Sequence, residues 1–389
     1  MQGIYLLQGV IKHYDWGGTT YIPSLLNKEN PVHEPFAEYW LGTHSSGIAT
    51  VLTTDGETKP LTAYINDLPF LFKILDVKQM LSIQVHPTKK AAEQGYKKEN
   101  EAGIALNDSQ RNFKDDNHKP ELMVALSDFW LLHGFRPKDE MMKVLTSEIH
   151  FNELIPVFEK KGYDGLYRHV MEIPQEDVNR ILHHVVNHRP ALHTGNEPDK
   201  TDSYYWMSKA GQLSTGENID RGIFSIFFFN IVHLKKGEGI FQGPGVPHAY
   251  LEGQNAEIMA NSDNVLRGGL TTKHIDVQEL LKHIICAPTI PKIIRGKAVT
   301  KEERNYPVPV SDFYLSLIDI DKNKISTLNP HGAEILFVNE GSLTLSRGTY
   351  SIELRPGNPA ALLIPGEPII LNTHEKSTIF RAGIPLIVR

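Results

Sequence analysis

The sequence predicts a mainly β protein, a barrel or jelly roll interrupted by helices and followed by a second β domain. Two observations carry that expectation. Short β-prone apolar runs alternate with Gly/Pro turns without any regular βαβ alternation. The apolar period then turns helical in one central block, from Lys138 to Trp206. The 389 residues divide accordingly into a split β unit over 1–137 and 218–290, a helical insertion over 138–217, and a C-terminal β unit over 291–389.

The first unit opens with short β segments, among them Met80-Leu81-Ser82-Ile83-Gln84-Val85-His86, and carries one helical insert. That insert, Thr88 to Ala105, is rich in Lys, Glu and Ala, all good helix formers. In the central block Met141, Val144, Leu145 and Ile149 recur at helical spacing, as do Val178, Ile181, Leu182, Val185 and Val186 after Pro174. His183, His184 and His188 on this insertion read as surface residues. The aromatic residues Phe224, Phe227, Phe228 and Phe229 read as part of a buried strand running to Leu234. Turns follow at Lys235 to Gly239 and at Gly243 to Pro247, the second leading into His248. Asp276 caps a short helix with Leu280, Leu281 and Ile284 on its apolar side. After a Pro-rich connection, Pro288 to Pro309, strands at Tyr314 to Ile318, Glu334 to Val338 and Ala361 to Pro365 build the last unit. Its stretch Gly341 to Pro365 echoes Gly237 to Pro247 but has no histidine after the prolines, so no metal is expected there.

Hydrophobic residues at 40% and charged residues at 22% are ordinary for a globular chain. A net charge of −6 with no dominant basic run argues against a nucleic-acid binder and confines anion recognition to local groups. The N-terminus lacks the basic-then-apolar order of a signal peptide, and the most apolar stretch, Ile223 to Leu234, is too short to span a bilayer. The expected setting is cytoplasmic, without a membrane partner, as a monomer or weak homo-oligomer. The single cysteine, Cys286, excludes an internal disulfide and reads as packing beside an apolar helix.

Three segments hold side chains suited to one divalent metal. Gln84 and His86 stand two apart in a β-prone run, so both polar heads share a face while Ile83 and Val85 pack behind. His248 follows a Gly/Pro turn, at a strand mouth. Lys119 and Glu121 flank Pro120 in an extended stretch and should also share a face. Imidazole and oxygen ligands suit Zn²⁺ or a neighbouring divalent metal, and a single carboxylate leaves the site net positive. Each pattern is common alone; the surrounding sequence gives the set its force.

That surrounding sequence comprises Tyr14-Asp15-Trp16-Gly17-Gly18, Glu38-Tyr39-Trp40-Leu41-Gly42-Thr43-His44, Leu68-Pro69-Phe70-Leu71-Phe72-Lys73-Ile74-Leu75 and Asp116-Asn117-His118-Lys119-Pro120-Glu121. It continues with Pro247-His248-Ala249-Tyr250 and the run from Glu257 through Asn261-Ser262-Asp263-Asn264 and Arg267-Gly268-Gly269 to Thr271. In these motifs the chain resembles the type I mannose-6-phosphate isomerases, zinc-dependent members of the cupin superfamily, over most of residues 5–285. The resemblance implies a cupin (jelly-roll) catalytic domain, a second cupin-like β domain, and one Zn²⁺ per chain held by Gln84, His86, Glu121 and His248. It implies Arg267 as the active-site arginine, with Lys119, Glu257, Tyr250, Asp263 and His118 lining the same pocket. Ser82, Lys73 and Lys273 match residues near the substrate phosphate. One departure is Thr272, where members usually carry proline.

Aldose–ketose interconversion moves a proton between C1 and C2 through a cis-enediol or enediolate with charge developing on oxygen. Arg267, permanently charged, suits anion stabilisation and is a poor base. Glu257 and Lys119 both remain as proton carriers, and His118 suits ring opening. Trp16 and Trp40 read as core, and the alternative for Lys73 is a salt bridge to Asp76 or another carboxylate. Two other functions stand beside the isomerase: a catalytically silent cupin that binds a sugar phosphate, and a cupin-type oxidoreductase. The latter usually presents two histidines and one carboxylate to iron, without a Gln84 equivalent.

Overall fold

The computed structural model describes residues 3–53, 56–187, 199–210 and 218–386. It is mainly β, with three sheets in layers and the inserted helices packed on the barrel wall. The organising element is the strand His248–Ala260, 13 residues long, which pairs with four others. Its first half lies between Phe129–Phe135 and Gln84–Val85; its second half lies between Phe70–Val77 and Glu121–Ala125. This forked strand therefore brings distant segments to one barrel mouth. His86 itself falls just past its strand, which is shorter than the apolar run Met80 to His86 suggests.

Strands of this sheet are buried on both faces, and residue parity decides which face each side chain meets. Tyr39, Leu41, Phe70, Phe72, Ile74, Leu122, Val124, Ala256 and Ile258 face a second, nine-stranded sheet. Their alternates Glu38, Trp40, Lys73, Glu121 and Glu257 are also buried, on the opposite face. The nine-stranded sheet supplies Leu315, Leu317, Ile335, Phe337, Leu362 and Phe380 to the shared core. Its other face packs Ile318, Leu336, Val338, Leu363 and Ile379 against a four-stranded sheet.

That second sheet departs from the expected division at residues 137 and 291. Ile4–Gln8, Thr50–Leu52 and Thr58–Pro60 belong to it, with Ile4–Gln8 pairing directly with Ala360–Leu363. The reason is burial on two sides. Tyr5 and Leu7 enter one core and Ile4 the other, so the N-terminal strand completes a sheet that its own unit cannot supply.

The helical insertion packs Met141, Leu145, Val178, Ile181, Leu182 and Val185 with Ile83, Val85, Leu132 and Ala249 of the barrel wall. The helices Lys138–Ser147 and Gln175–Asn187 match the expected periodicity. Ile149 does not: it is 71% exposed, and Phe151 and Leu154 of the following 3₁₀ turn take its place in the core. The aromatic run is a further correction. Gly222–Phe228 is a helix, and the strand begins only at Phe229. A segment apolar on every side has no period to read, and its complete burial suits a core helix as well as a strand. The insert after His86 forms the helix Lys89–Glu101, capped by Thr88, and Asp276 caps Val277–His283 as expected. No helix among the described residues is long and apolar enough to cross a membrane.

Candidate metal centre

His86, Glu121 and His248 converge, their potential ligand atoms lying within 4.8 Å of one another. Glu121 sits between the rings, with Oε1 3.4 Å from His86 Nε2 and Oε2 3.3 Å from His248 Nε2. Backbone carbonyls hold the far nitrogen of each ring: Asn264 O lies 2.9 Å from His86 Nδ1, and Val246 O lies 3.0 Å from His248 Nδ1. Each carbonyl accepts a proton from Nδ1, so each Nε2 lone pair is left facing Glu121. His86 Nε2 is buried and has no hydrogen-bond partner. An orphaned imidazole lone pair beside a carboxylate is what a divalent cation requires, and the donor set fits zinc.

Register adds the fourth candidate. Gln84 stands directly opposite His248 on one side and opposite Arg267 on the other. Cross-strand partners share a face, so His248, Gln84 and Arg267 form one row across three strands. The chain's electrostatics suit a cation. Burial pushes the His86 imidazolium down to about 4, keeping the ring neutral. Burial opposes the charge on Glu121, but the neighbouring Lys119 ammonium holds it well below the usual carboxylate range. Lys119 Nζ lies 3.0 Å from Glu121 Oε1, the shared face expected across Pro120.

Beside this centre lies a cavity of about 340 Å³ whose lining includes Ser82, Gln84, Arg267, Thr271, Lys273 and Glu38. Its size lies in the usual small-ligand range. Arg267 makes no ion pair among the described residues, and Ser82 and Lys273 share its cavity. Lys73 differs. It is buried inside the barrel, 3.6 Å from Glu38 Oε2 and 3.5 Å from Glu257 Oε1, with Trp40 4.8 Å beneath its ammonium. Two carboxylates already compensate its charge, as the salt-bridge reading expects, with Glu38 and Glu257 as partners in place of Asp76. Asp76 is instead bonded by Gln254 Nε2 at 2.6 Å.

The remaining pocket candidates divide. Tyr250 donates to Glu257 Oε2 at 2.6 Å, and both are buried. Burial, then the Glu121 charge, raises the Glu257 carboxyl. Asp263 is partly exposed and lies 3.4 Å from His44 Nε2. His118 Nε2 lies 3.1 Å from Asp312 in the C-terminal unit. Trp40 is core, whereas Trp16 is half-buried and borders the cavity. His183 and His184 are exposed, and His188 lies outside the described residues. Cys286 is partly buried, and burial pushes its thiol up to about 12, an inert state.

Sequence reasoning missed the supports. Asn264 orients His86 through its carbonyl, while its amide donates to Asp115 O and Asn117 O, both at 2.8 Å. Asp220 accepts from the backbone of Leu270 and Thr271, each at 3.0 Å, clamping the turn after Arg267. Leu270 there has φ 56°, unusual for a bulky residue. Asn264 lay in a quoted motif, but nothing in its spacing marks a carbonyl contact.

The comparisons agree with this geometry. The phosphomannose isomerase type I catalytic-domain family matches residues 4–138. The mannose-6-phosphate isomerase of Escherichia coli (strain K12) is 34% identical over 385 residues, covering 94% of this chain and 96% of that protein. The cattle (Bos taurus) mannose-6-phosphate isomerase is 30% identical, with 90% of each chain covered. The structure of the Salmonella typhimurium enzyme bound to fructose 6-phosphate and zinc superposes with a TM-score of 0.84 at 30% identity, covering 99% of this chain and 100% of that one. This chain belongs to the type I phosphomannose isomerase family.

Proposed function

We propose that the chain is a zinc-dependent aldose–ketose isomerase interconverting mannose 6-phosphate and fructose 6-phosphate through a cis-enediol(ate), in the cytoplasm. One observation carries the reading. The unpartnered Nε2 of His86, flanked by Glu121 and His248, lies beside a cavity holding Arg267 and Lys273. His86, Glu121, His248 and Gln84 hold the zinc. When bound, zinc supplies Lewis-acid polarisation of the sugar oxygens.

Ser82, Lys273 and Arg267 receive the anionic substrate at the cavity wall, where Arg267 balances charge developing on oxygen. Glu257 is the better base. Lys119 is committed to Glu121, whereas burial and the Glu121 charge raise Glu257 towards a carboxylate that can take and return a proton. Glu257 takes the C2 proton of the aldose, the C–H pair forms the C1–C2 double bond, and the C1–O1 π pair moves onto O1, which receives the O2 proton. The O2 pair then forms the C2–O2 double bond while the C1–C2 π pair takes the same proton back from Glu257 at C1. Tyr250 and Lys73 hold that carboxylate in place.

A coupled assay for fructose 6-phosphate formation from mannose 6-phosphate, with zinc-loaded and chelator-stripped protein, tests the proposal. Turnover that depends on zinc is expected. No turnover by the fully zinc-loaded chain leaves only a sugar-phosphate-binding role.

A further inference from the structure

Asp312 lies in the C-terminal unit, immediately before Phe313, which is fully buried in the core shared by the two large sheets. Its Oδ1 lies 3.1 Å from His118 Nε2, across 194 positions of sequence. The two side chains are only 22% and 19% exposed, so water competes weakly for this contact.

The backbone around His118 is fixed independently. His118 N donates to Asn117 Oδ1 at 3.0 Å, and Asn117 Nδ2 donates to Asn261 O at 3.0 Å. Asn264 Nδ2 and Ser262 Oγ both donate to Asn117 O, at 2.8 and 3.2 Å. Lys89 Nζ donates to Asp116 O and Asn117 Oδ1, placing a cation close by, and Lys119 follows next in the chain. What those bonds leave undetermined is the angle and tautomer of the His118 ring. Asp312 supplies both. An ionised carboxylate only accepts, so its contact keeps a proton on Nε2 and leaves the Nδ1 lone pair available. The hydrogen bond from His118 in turn holds the Asp312 carboxyl below the usual carboxylate range.

We infer that Asp312 is a positioning residue that fixes the His118 ring for proton transfer, so that the C-terminal β unit completes the active site. This rests on the isomerase reading and takes His118, which the sequence suits to ring opening, as the group that opens the sugar ring. In that step His118 Nδ1 takes the proton of the C1 hydroxyl and the O–H pair becomes the second C1–O1 bond. The C1–O5 pair leaves onto O5, which then receives the same proton from Nδ1. Atoms and charge balance without a further reactant. A mere tether between domains makes a different prediction, because loosening it leaves ring opening untouched.

The experiment compares Asp312→Ala and Asp312→Asn with the unaltered zinc-loaded chain. It reads kcat, KM, bound zinc, and α/β anomer exchange of mannose 6-phosphate by exchange NMR. Asp312→Ala is expected to lower both kcat and anomer exchange about 10-fold, with zinc content kept and KM little changed. Asp312→Asn, which keeps an acceptor oxygen, should recover part of the loss. Wild-type kcat and anomer exchange in Asp312→Ala overturn the inference and leave the isomerase reading intact. Absence of isomerisation in the unaltered chain defeats that reading itself. If Asp312→Ala does not fold, the cycle of His118→Ala with Asp312→Asn decides: non-additive losses support the coupling, and additive losses refute it.

Discussion

Two sheet interiors in this molecule use the same strand alternation for opposite ends. In the C-terminal unit, the layer between the nine- and four-stranded sheets is aliphatic, filled by Ile318, Ile320, Leu336, Val338, Leu363 and Leu371. In the barrel, the equivalent inward positions hold Glu38, Lys73, Glu121, Glu257, His86 and His248, all buried. Both are buried. Only the second carries charge, and a buried charge is tolerated only when paired or bound to a cation. The chain meets that condition with Lys73 between Glu38 and Glu257, with Lys119 on Glu121, and with a site suited to a metal ion between the histidines. The aliphatic layer stabilises; the charged one acts and depends on its partners.

The comparison is broken most completely at its centre. Glu121→Ala removes the carboxylate between the two imidazoles and leaves Lys119 buried without its partner, so bound zinc and turnover should both be lost. Metal analysis beside the coupled assay checks this, and a zinc-replete active variant contradicts it. Next come matched substitutions in the two interiors. Lys73→Met leaves two buried carboxylates without their cation and should destabilise by about 3–5 kcal/mol while lowering turnover. Leu336→Ala should cost a similar amount, about 2–5 kcal/mol, through a cavity alone. Its turnover per bound zinc should stay unchanged. Urea unfolding with activity per metal separates the two outcomes.

Acid should also distinguish the interiors. Burial holds both His86 and His133 at about 4 in the folded chain. An unfolded histidine titrates near 6.5, so between these values the unfolded state binds more protons. Stability of the zinc-free protein is therefore retained above about pH 6.5 and lost as pH falls towards 4, by about 3 kcal/mol per histidine. Urea midpoints that stay flat from pH 7 to 5 contradict this, and His133→Leu should flatten the slope. The smallest expected effect is Asn264→Ala. It loosens the carbonyl that orients His86 and should weaken zinc binding by about 10–100-fold without unfolding the chain, measurable by competition with a chelator.

Much of the site was legible. The Lys119/Glu121 pair around Pro120 and the turn before His248 each announce a local geometry that the structure contains, and Ile83 and Val85 are buried as the alternation around Gln84 expects. Lys73 was not legible as an ion pair with Glu38 and Glu257, because both partners lie on neighbouring strands whose register no local pattern states. Asp312 escaped for the same reason at larger separation. The helix Gly222–Phe228 escaped because an apolar run without polar interruptions has no readable period.

By itself, then, the sequence determined which side chains alternate, where turns and caps fall, and the chemistry of the ligands, because those follow from bonds between near neighbours. Tertiary structure alone decided that the first strand completes the C-terminal sheet, which carboxylates compensate Lys73, and that Asp312 reaches His118. Burial on both faces and charge compensation are satisfied only when distant segments meet, and their energy is not written in any one of them.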